Sequence, residues 1–180
     1  MKHVIHKPYY NWEKEEKWLN QMSAKGLALV DYSWCRYVFE EATPGEYIYR
    51  IELLDYWATN PAGQKYIRFV EETGAEFVSA YMRWVYFRKK AADGPFLLHS
   101  DIPSQINHNK RVRMFWFGLA ILELSVGLMN IALGIWPSFR SLNLILGSLL
   151  FVLGCAFASW VIQITRKIIR LKKELLIREG

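Results

Sequence analysis

Two stretches of the sequence decide the architecture of this chain: MFWFGLAILELSVGLMNIALGIW at residues 114–136 and LNLILGSLLFVLGCAFASWVIQI at residues 142–164. Each stretch would form a helix of ~34 Å, and a hydrocarbon core of about 30 Å needs about 20 such residues. Helices buried in a soluble bundle are the alternative, but soluble helices keep a polar face, which neither stretch has. We therefore predict two transmembrane helices, joined by the short loop 137–141 into an antiparallel hairpin.

Basic residues flank the two spans unevenly. Three precede the first span and six follow the second, whereas Arg140 alone lies between them. The membrane side that is rich in Lys and Arg stays cytoplasmic, so we predict a two-pass cell-membrane protein with both termini in the cytoplasm. We expect a basic C-terminal helix that extends the second span or lies on the membrane, and lipid binding is left open. The candidate membrane-surface residues are Lys110, Arg111, Arg113, Arg166, Lys167, Arg170, Lys172 and Lys173.

The charge of the chain is divided between two parts, which we predict to be domains 1–107 and 108–180. The first part holds 13 basic and 14 acidic residues, whereas the second holds 10 and 3. Because the first part is nearly neutral, nucleic acid is not an expected partner. The two cysteines, Cys35 and Cys155, exclude a disulfide scaffold and a four-cysteine zinc site.

The domain before the two spans shows the patterns of an α+β fold. A helix is predicted over Asn11–Lys25, with Asn11 as its N-cap and Gly26 as its C-terminal stop. Alternating apolar residues then predict two short strands within Leu27–Glu41 and a third over Tyr47–Leu54.

A similar pattern recurs later in the same domain, where Gly74 takes the place of Gly26. It predicts a helix and two more strands, with a last short strand beyond them. Two α-β-β units favour a ferredoxin-like antiparallel sheet with both helices on one face. The predicted elements are the helix Gly63–Thr73 and the strands Glu76–Ala80, Arg83–Lys90 and Phe96–Leu98.

Several of these segments resemble a bacterial family of membrane proteins that is known only as a domain of unknown function. The resemblance implies a cytoplasmic domain followed by membrane helices, in Gram-positive bacteria. It also implies genes that are commonly encoded beside PadR-like transcriptional regulators, and it supplies no activity or catalytic residues. The segments are EEKWLNQM at 15–22, Lys25-Gly26, PGEYIYR at 44–50, WVYFRK at 84–89 and Ser100-Asp101-Ile102.

Motifs for catalysis are missing from the sequence: it has no phosphate loop, nucleophile elbow or dinucleotide fingerprint. His3 and His6 are interpreted as solvated tail residues, and His99 and His108 as ordinary polar residues. We therefore predict no cofactor, no metal site and no enzymatic activity.

A candidate polar sheet face contains Arg50 and Glu52, which lie two positions apart on one predicted strand and therefore share a face. Ion pairs on a solvated sheet face are the simpler interpretation. The alternative is a polar site with Arg36, Arg83 or Arg88. The domain also holds more Tyr and Trp than a core of this size can enclose, so some of these rings are expected to meet a partner.

Glu123 lies near the middle of the first span, where an ionised carboxylate is unfavourable. Asn130 follows seven positions later and therefore shares its helix face. These two residues are a candidate intramembrane polar site, with either a structural role or a place in a pore.

Three functions follow from these observations. The first is a non-enzymatic, membrane-anchored regulatory protein, which binds a protein partner or an apolar ligand in a membrane stress or signalling response. Its partners would be membrane lipid, further copies of the chain and a PadR-like regulator or other membrane protein. The second is a homo-oligomeric ion channel or transport component with Glu123 and Asn130 on its pore side. The third, a lipid-modifying enzyme, is the least supported.

Overall fold

The computed structural model describes residues 2–99, 101–135 and 140–179. The predicted loop residues 137–139, and Trp136 before them, lie outside this description. The chain divides into two compact units, Met1–Ser100 and Asp101–Gly180. The first unit is α+β and the second consists of two long helices, so the general fold class is confirmed.

Within its described residues, 2–99, the first unit contains six strands and two helices, followed by a short 3₁₀ turn at Ala91–Asp93. In chain order they are β1 (Lys2–His6), α1 (Trp12–Ala24), β2 (Leu27–Ser33), β3 (Arg36–Glu41), β4 (Tyr47–Leu53), α2 (Pro61–Glu72), β5 (Glu76–Tyr81) and β6 (Trp84–Lys90).

The two halves of this unit have the same order of elements, β-α-β-β. Each half forms a three-stranded antiparallel sheet, in the order β1-β3-β2 and β4-β6-β5. Gly26 and Gly74, at equivalent places in the two halves, both take left-handed backbone conformations after their helices, with φ of 81° and 86°. The register also shifts at equivalent places, between Leu29 and Asp31 and between Phe77 and Ser79. The repeat therefore includes local irregularities as well as the order of elements.

This fold differs from the sequence expectations at several places. The sequence does not predict strand β1, because KHVIH is mostly polar and shows little apolar alternation. Residues 96–98 do not form a strand; Phe96 instead packs into the second hydrophobic core. A single ferredoxin-like sheet is not confirmed, since the strands divide into two sheets of three.

Strand β6 shows that the two helices do not share a face of the second sheet. Tyr86 packs in one core with residues of α1, whereas Val85 and Phe87 pack in another with residues of α2. Because neighbouring strand residues point to opposite faces, α1 and α2 cover opposite faces of this sheet. The prediction of both helices on one face is therefore wrong.

Helix α1 also protects the outer edge of β4. The Ser23 hydroxyl donates to the carbonyl of Tyr47 at 2.7 Å and accepts from its N–H at 3.2 Å. The Asn20 side chain pairs with both backbone groups of Tyr49, at 2.9 and 3.1 Å. Glu16 accepts from the Ile51 N–H at 3.0 Å. Since 16, 20 and 23 lie on one helix face, a polar stripe takes the place of a neighbouring strand.

The second unit is an antiparallel pair of helices, α3 (Ile102–Leu133) and α4 (Arg140–Glu179). Glycines bring their backbones close together: a Cβ added at Gly127 would lie 2.8 Å from the Phe151 nitrogen, and one at Gly147 would lie 2.7 Å from the Ile131 nitrogen. Both helices are long and apolar enough to cross a membrane, and the chain buries only 17% and 11% of their most apolar windows.

Candidate functional site

Glu15 lies at the centre of the first unit. Its Oε1 atom accepts hydrogen bonds from the hydroxyls of Tyr37 and Tyr86, each at 2.7 Å. Tyr37 belongs to the first sheet and Tyr86 to the second. One carboxylate oxygen on α1 therefore joins both halves of the repeat.

The position of Glu15 alters the pKa values of all three groups. Burial raises the pKa of Glu15 above its usual 4.5, and the two tyrosine hydrogen bonds only partly oppose this. Burial and the neighbouring carboxylate together raise the pKa of Tyr37 and of Tyr86 well above 10. Both tyrosines therefore keep their protons and act as hydrogen-bond donors.

A series of ring contacts connects this buried carboxylate to the surface. The Tyr32 ring lies 4.7 Å from Tyr37 and 4.6 Å from Tyr86, centroid to centroid. On its other side it lies 6.1 Å from Tyr81, which in turn lies 5.9 Å from Trp34. These separations are typical of favourable aromatic pairs, so the path is continuously packed.

The outer end of this path is formed by the tight turns of two β-hairpins. Trp34 and Cys35 connect β2 to β3 with φ of 35° and 61°, and Met82 begins the equivalent β5–β6 turn with φ of 57°. Trp34 is 73% exposed and Met82 is 45% exposed. We call Trp34, Tyr81 and Met82 the tip surface.

The predicted polar sheet face does not form a single cluster. Arg50 is half-buried, and its guanidinium lies 3.2 Å from a carboxylate oxygen of Glu16 on α1. Glu52 is fully buried, and its Oε2 atom lies 2.6 Å from Nε2 of His99. The two residues lie two positions apart on β4 and therefore share a face of the strand, as predicted. Their side chains nevertheless bind different partners.

The Glu52–His99 pair gives a role to a histidine that the sequence presents as an ordinary polar residue. A carboxylate and an imidazole are both common metal ligands, so this pair offers two ligand atoms for a metal ion. Two ligand atoms are fewer than the four of a structural zinc site. The geometry as it stands is that of a hydrogen-bonded pair.

The candidate intramembrane residues lie on α3. Asn130 is buried, and its side-chain amide donates to the carbonyl of Val126 in the same helix at 2.8 Å. Glu123 is half-buried. Asn130 therefore has a structural hydrogen bond within its own helix, as polar residues of apolar helices commonly do.

The candidate basic residues lie at one end of the helix pair, because α3 begins where α4 ends. Arg111, Arg113 and Lys167 are half-buried, whereas the others are exposed: Lys110, Arg166, Arg170, Lys172 and Lys173. The positive charge of the helix pair is therefore concentrated at one end, next to the apolar segments of both helices.

Glu15 and the tip surface were not singled out from the sequence. Glu15 lies three positions after Trp12 and four before Leu19, so it shares a helix face with these apolar residues, and this spacing is the sequence signal that it is buried. The turn at Trp34 offered no such signal, since Asn and Gly are the usual residues at positive φ.

Comparison with protein families gives a match over part of the chain. The family described as "Protein of unknown function (DUF2812)" matches residues 11–121, which begin just before α1 and end within α3. No curated protein and no solved structure matches the chain. Because the family match covers more than half of the sequence, this chain belongs to the DUF2812 family of proteins of unknown function.

Proposed function

We propose that this chain is a membrane-anchored binding protein without enzymatic activity, and that its first unit binds a protein partner through the tip surface. The observation that carries this proposal is the exposed Trp34 side chain on a left-handed backbone. Glu15 and its two tyrosines are enclosed in the core, so we assign them to stability of the fold.

The backbone at the tip supports a binding role. A left-handed conformation costs an L residue roughly 1–2 kcal/mol, which glycine avoids. Trp34 and Met82 therefore occupy positions at which glycine would form the turn with less backbone strain. Strained positions that present large apolar side chains to solvent are characteristic of contact sites.

The tip surface is also held rigidly. The Cys35 N–H donates to the Tyr32 hydroxyl at 3.3 Å, which fixes the turn to the ring path behind it. Trp34 packs against Tyr81 from the other hairpin. A rigid aromatic surface loses little conformational entropy on binding, and Trp and Tyr are the residues that most often dominate protein interfaces.

The helix pair supplies the proposed membrane anchor. Most apolar side chains of its two candidate spans face outward, as they would toward lipid. Under the positive-inside rule, the basic residues at its shared end support a cytoplasmic location for that end and for both termini. The first unit would then present its tip surface to cytoplasmic proteins.

The partner is expected to offer an apolar pocket. The part of the chain before the helix pair is nearly neutral, which disfavours nucleic acid as the direct ligand. The resemblance noted in the sequence implies a PadR-like regulator as a common genetic neighbour, so we propose such a regulator as the first candidate, in a membrane stress or signalling response. A second copy of the chain is the other.

Site-specific photo-cross-linking in the full-length chain tests this proposal. A photoreactive phenylalanine analogue is placed at position 34, and at position 56 as a control, because Tyr56 is also exposed but lies outside the tip surface. We expect one protein to be cross-linked from position 34 and not from position 56. Equal cross-linking from both positions, or cross-linking to lipid alone, would contradict it.

Trp34→Asn provides an independent test, because Asn tolerates positive φ better than Trp. We expect this variant to bind the captured partner at least ten-fold more weakly while the unit becomes no less stable in urea. A loss of binding that is accompanied by unfolding would instead show that Trp34 serves the fold.

A further inference from the structure

We propose that the α3–α4 pair carries a binding site for a phospholipid with a net negative headgroup. This inference rests on the membrane anchoring proposed above and adds a specific lipid class to it. The site is a groove of about 240 Å³ between the two helices. Its walls are Arg113, Met114 and Phe117 of α3 with Val161 and Thr165 of α4.

The groove changes from apolar to cationic along its length. Phe117 and Val161 lie toward the middle of the helix pair, and Arg113 lies toward its basic end. Residues three or four apart share a helix face, so the same faces continue to Lys110 on α3 and to Lys172 on α4. Both lysines are exposed. This order matches a phospholipid, whose acyl chains lie deeper in the membrane than its phosphate.

Arg113 is the charged group of the groove. The Thr165 hydroxyl is used within its own helix, where it donates to the Val161 carbonyl at 2.8 Å. An arginine guanidinium binds a phosphate through two parallel hydrogen bonds, and its half-buried position would strengthen them. The phosphate is therefore expected to bind at Arg113.

The nearby carboxylates are engaged elsewhere. Among the described side chains of the helix pair, Asp101 and Glu174 are the acidic groups at this end. Asp101 accepts from the N–H and the hydroxyl of Ser104, at 3.0 and 2.6 Å. Glu174 lies 2.7 Å from Arg178, one turn further along α4. The potential around the groove is therefore positive, which favours an anionic headgroup over a zwitterionic one.

Native mass spectrometry of the full-length chain in detergent tests this site. Phosphatidylglycerol and phosphatidylcholine of identical acyl chains are titrated separately, and the retained lipid is counted. We expect one phosphatidylglycerol to bind at least five-fold more tightly than phosphatidylcholine. Arg113→Gln should weaken this binding about five-fold, as expected for one basic residue close to a membrane anion.

Two further variants separate the groove from general charge attraction. Arg170→Gln removes the same charge from the same end of the helix pair, at an exposed position outside the groove, and should leave the affinity unchanged. Val161→Phe keeps every charge and fills the groove, so it should weaken binding of phosphatidylglycerol. Equal affinity for the two lipids, or equal effects of Arg113→Gln and Arg170→Gln, would overturn the inference.

Membrane anchoring is measured separately, by extraction of cell membranes with alkaline carbonate. A chain released by carbonate contradicts the anchoring and the lipid site together. A chain that stays in the membrane but does not distinguish the two lipids contradicts the lipid site alone.

Discussion

The hydroxyl of Tyr86 lies 2.7 Å from Oε1 of Glu15, and this hydrogen bond joins two residues 71 positions apart in the sequence. Glu15 belongs to the helix of the first β-α-β-β half, whereas Tyr86 belongs to the last strand of the second. Because the bond is buried and one partner can be ionised, it belongs to the stronger class of protein hydrogen bonds. The two halves should therefore depend on each other for stability.

Tyr86→Phe is expected to destabilise the first unit by about 1–3 kcal/mol, the usual cost of removing one partner of a buried hydrogen bond. The measurement is urea unfolding of the first unit in the nanodisc-embedded chain, followed by tryptophan fluorescence. Tyr56→Phe is the matched control, since Tyr56 is exposed and its hydroxyl lies outside the core. Equal stability of the two variants would show that the Glu15–Tyr86 bond contributes little.

The stability of the first unit should depend on pH through Glu15. Because burial raises the pKa of this carboxyl, the folded unit keeps its proton to a higher pH than the unfolded chain does. Between 4.5 and the raised pKa the folded state thus binds more protons, and the free energy of unfolding falls as pH rises. Glu15→Gln should make this fall smaller.

This dependence is measured by urea unfolding of the wild type and Glu15→Gln from about pH 4 to about pH 8. Burial also raises the pKa of Glu16, so part of the fall should remain in the variant. Parallel pH profiles for the two proteins would exclude Glu15 as a source of the dependence.

Asn20→Ala should expose the edge of β4. The variant loses the hydrogen bonds to the N–H and the carbonyl of Tyr49. We therefore expect the free energy of unfolding to fall by about 1–3 kcal/mol. Amide hydrogen exchange at Tyr49 reports on this edge directly, and it should become faster. Gln21→Ala, at the exposed neighbouring position of α1, should leave exchange at Tyr49 unchanged.

Gly127→Ala should weaken the pairing of α3 with α4. The added Cβ would lie 2.8 Å from the Phe151 nitrogen, a backbone atom, so the helices must move apart at a cost of about 1–3 kcal/mol. Gly118→Ala is the control, because nothing lies within 4 Å of its added Cβ. Unfolding in increasing SDS, followed by far-UV circular dichroism, should be easier for Gly127→Ala and unchanged for Gly118→Ala.

Ion-flux measurements on the chain and its Glu123→Gln variant distinguish a membrane anchor from an ion channel. The buried hydrogen bond of Asn130 to its own helix favours a structural role for this face, so we expect no ion flux in proteoliposomes that contain the inserted chain. Flux that Glu123→Gln alters, and that Ser125→Ala on an exposed position does not, would support the channel instead.

Local signals in the sequence predicted most of the helices and strands. Asn11 accepts hydrogen bonds from the N–H groups of Glu13 and Lys14, so it is the N-cap that its residue type indicates. Gly26 and Gly74 stop the two helices because they adopt positive φ without strain. The apolar spans were equally clear, since length and hydrophobicity alone determine whether a helix can cross a membrane.

The sequence by itself thus determined most of the elements, their repetition within the first unit and the two candidate spans, because these depend on neighbours a few positions apart. Only the tertiary structure decided that α1 and α2 cover opposite faces of the second sheet, and that Glu15 meets Tyr86. It likewise separated Arg50 from Glu52, which bind Glu16 and His99 respectively. Periodicity shows which residues share a face of an element, but the partner of that face is set by the packing of segments that are distant in the chain.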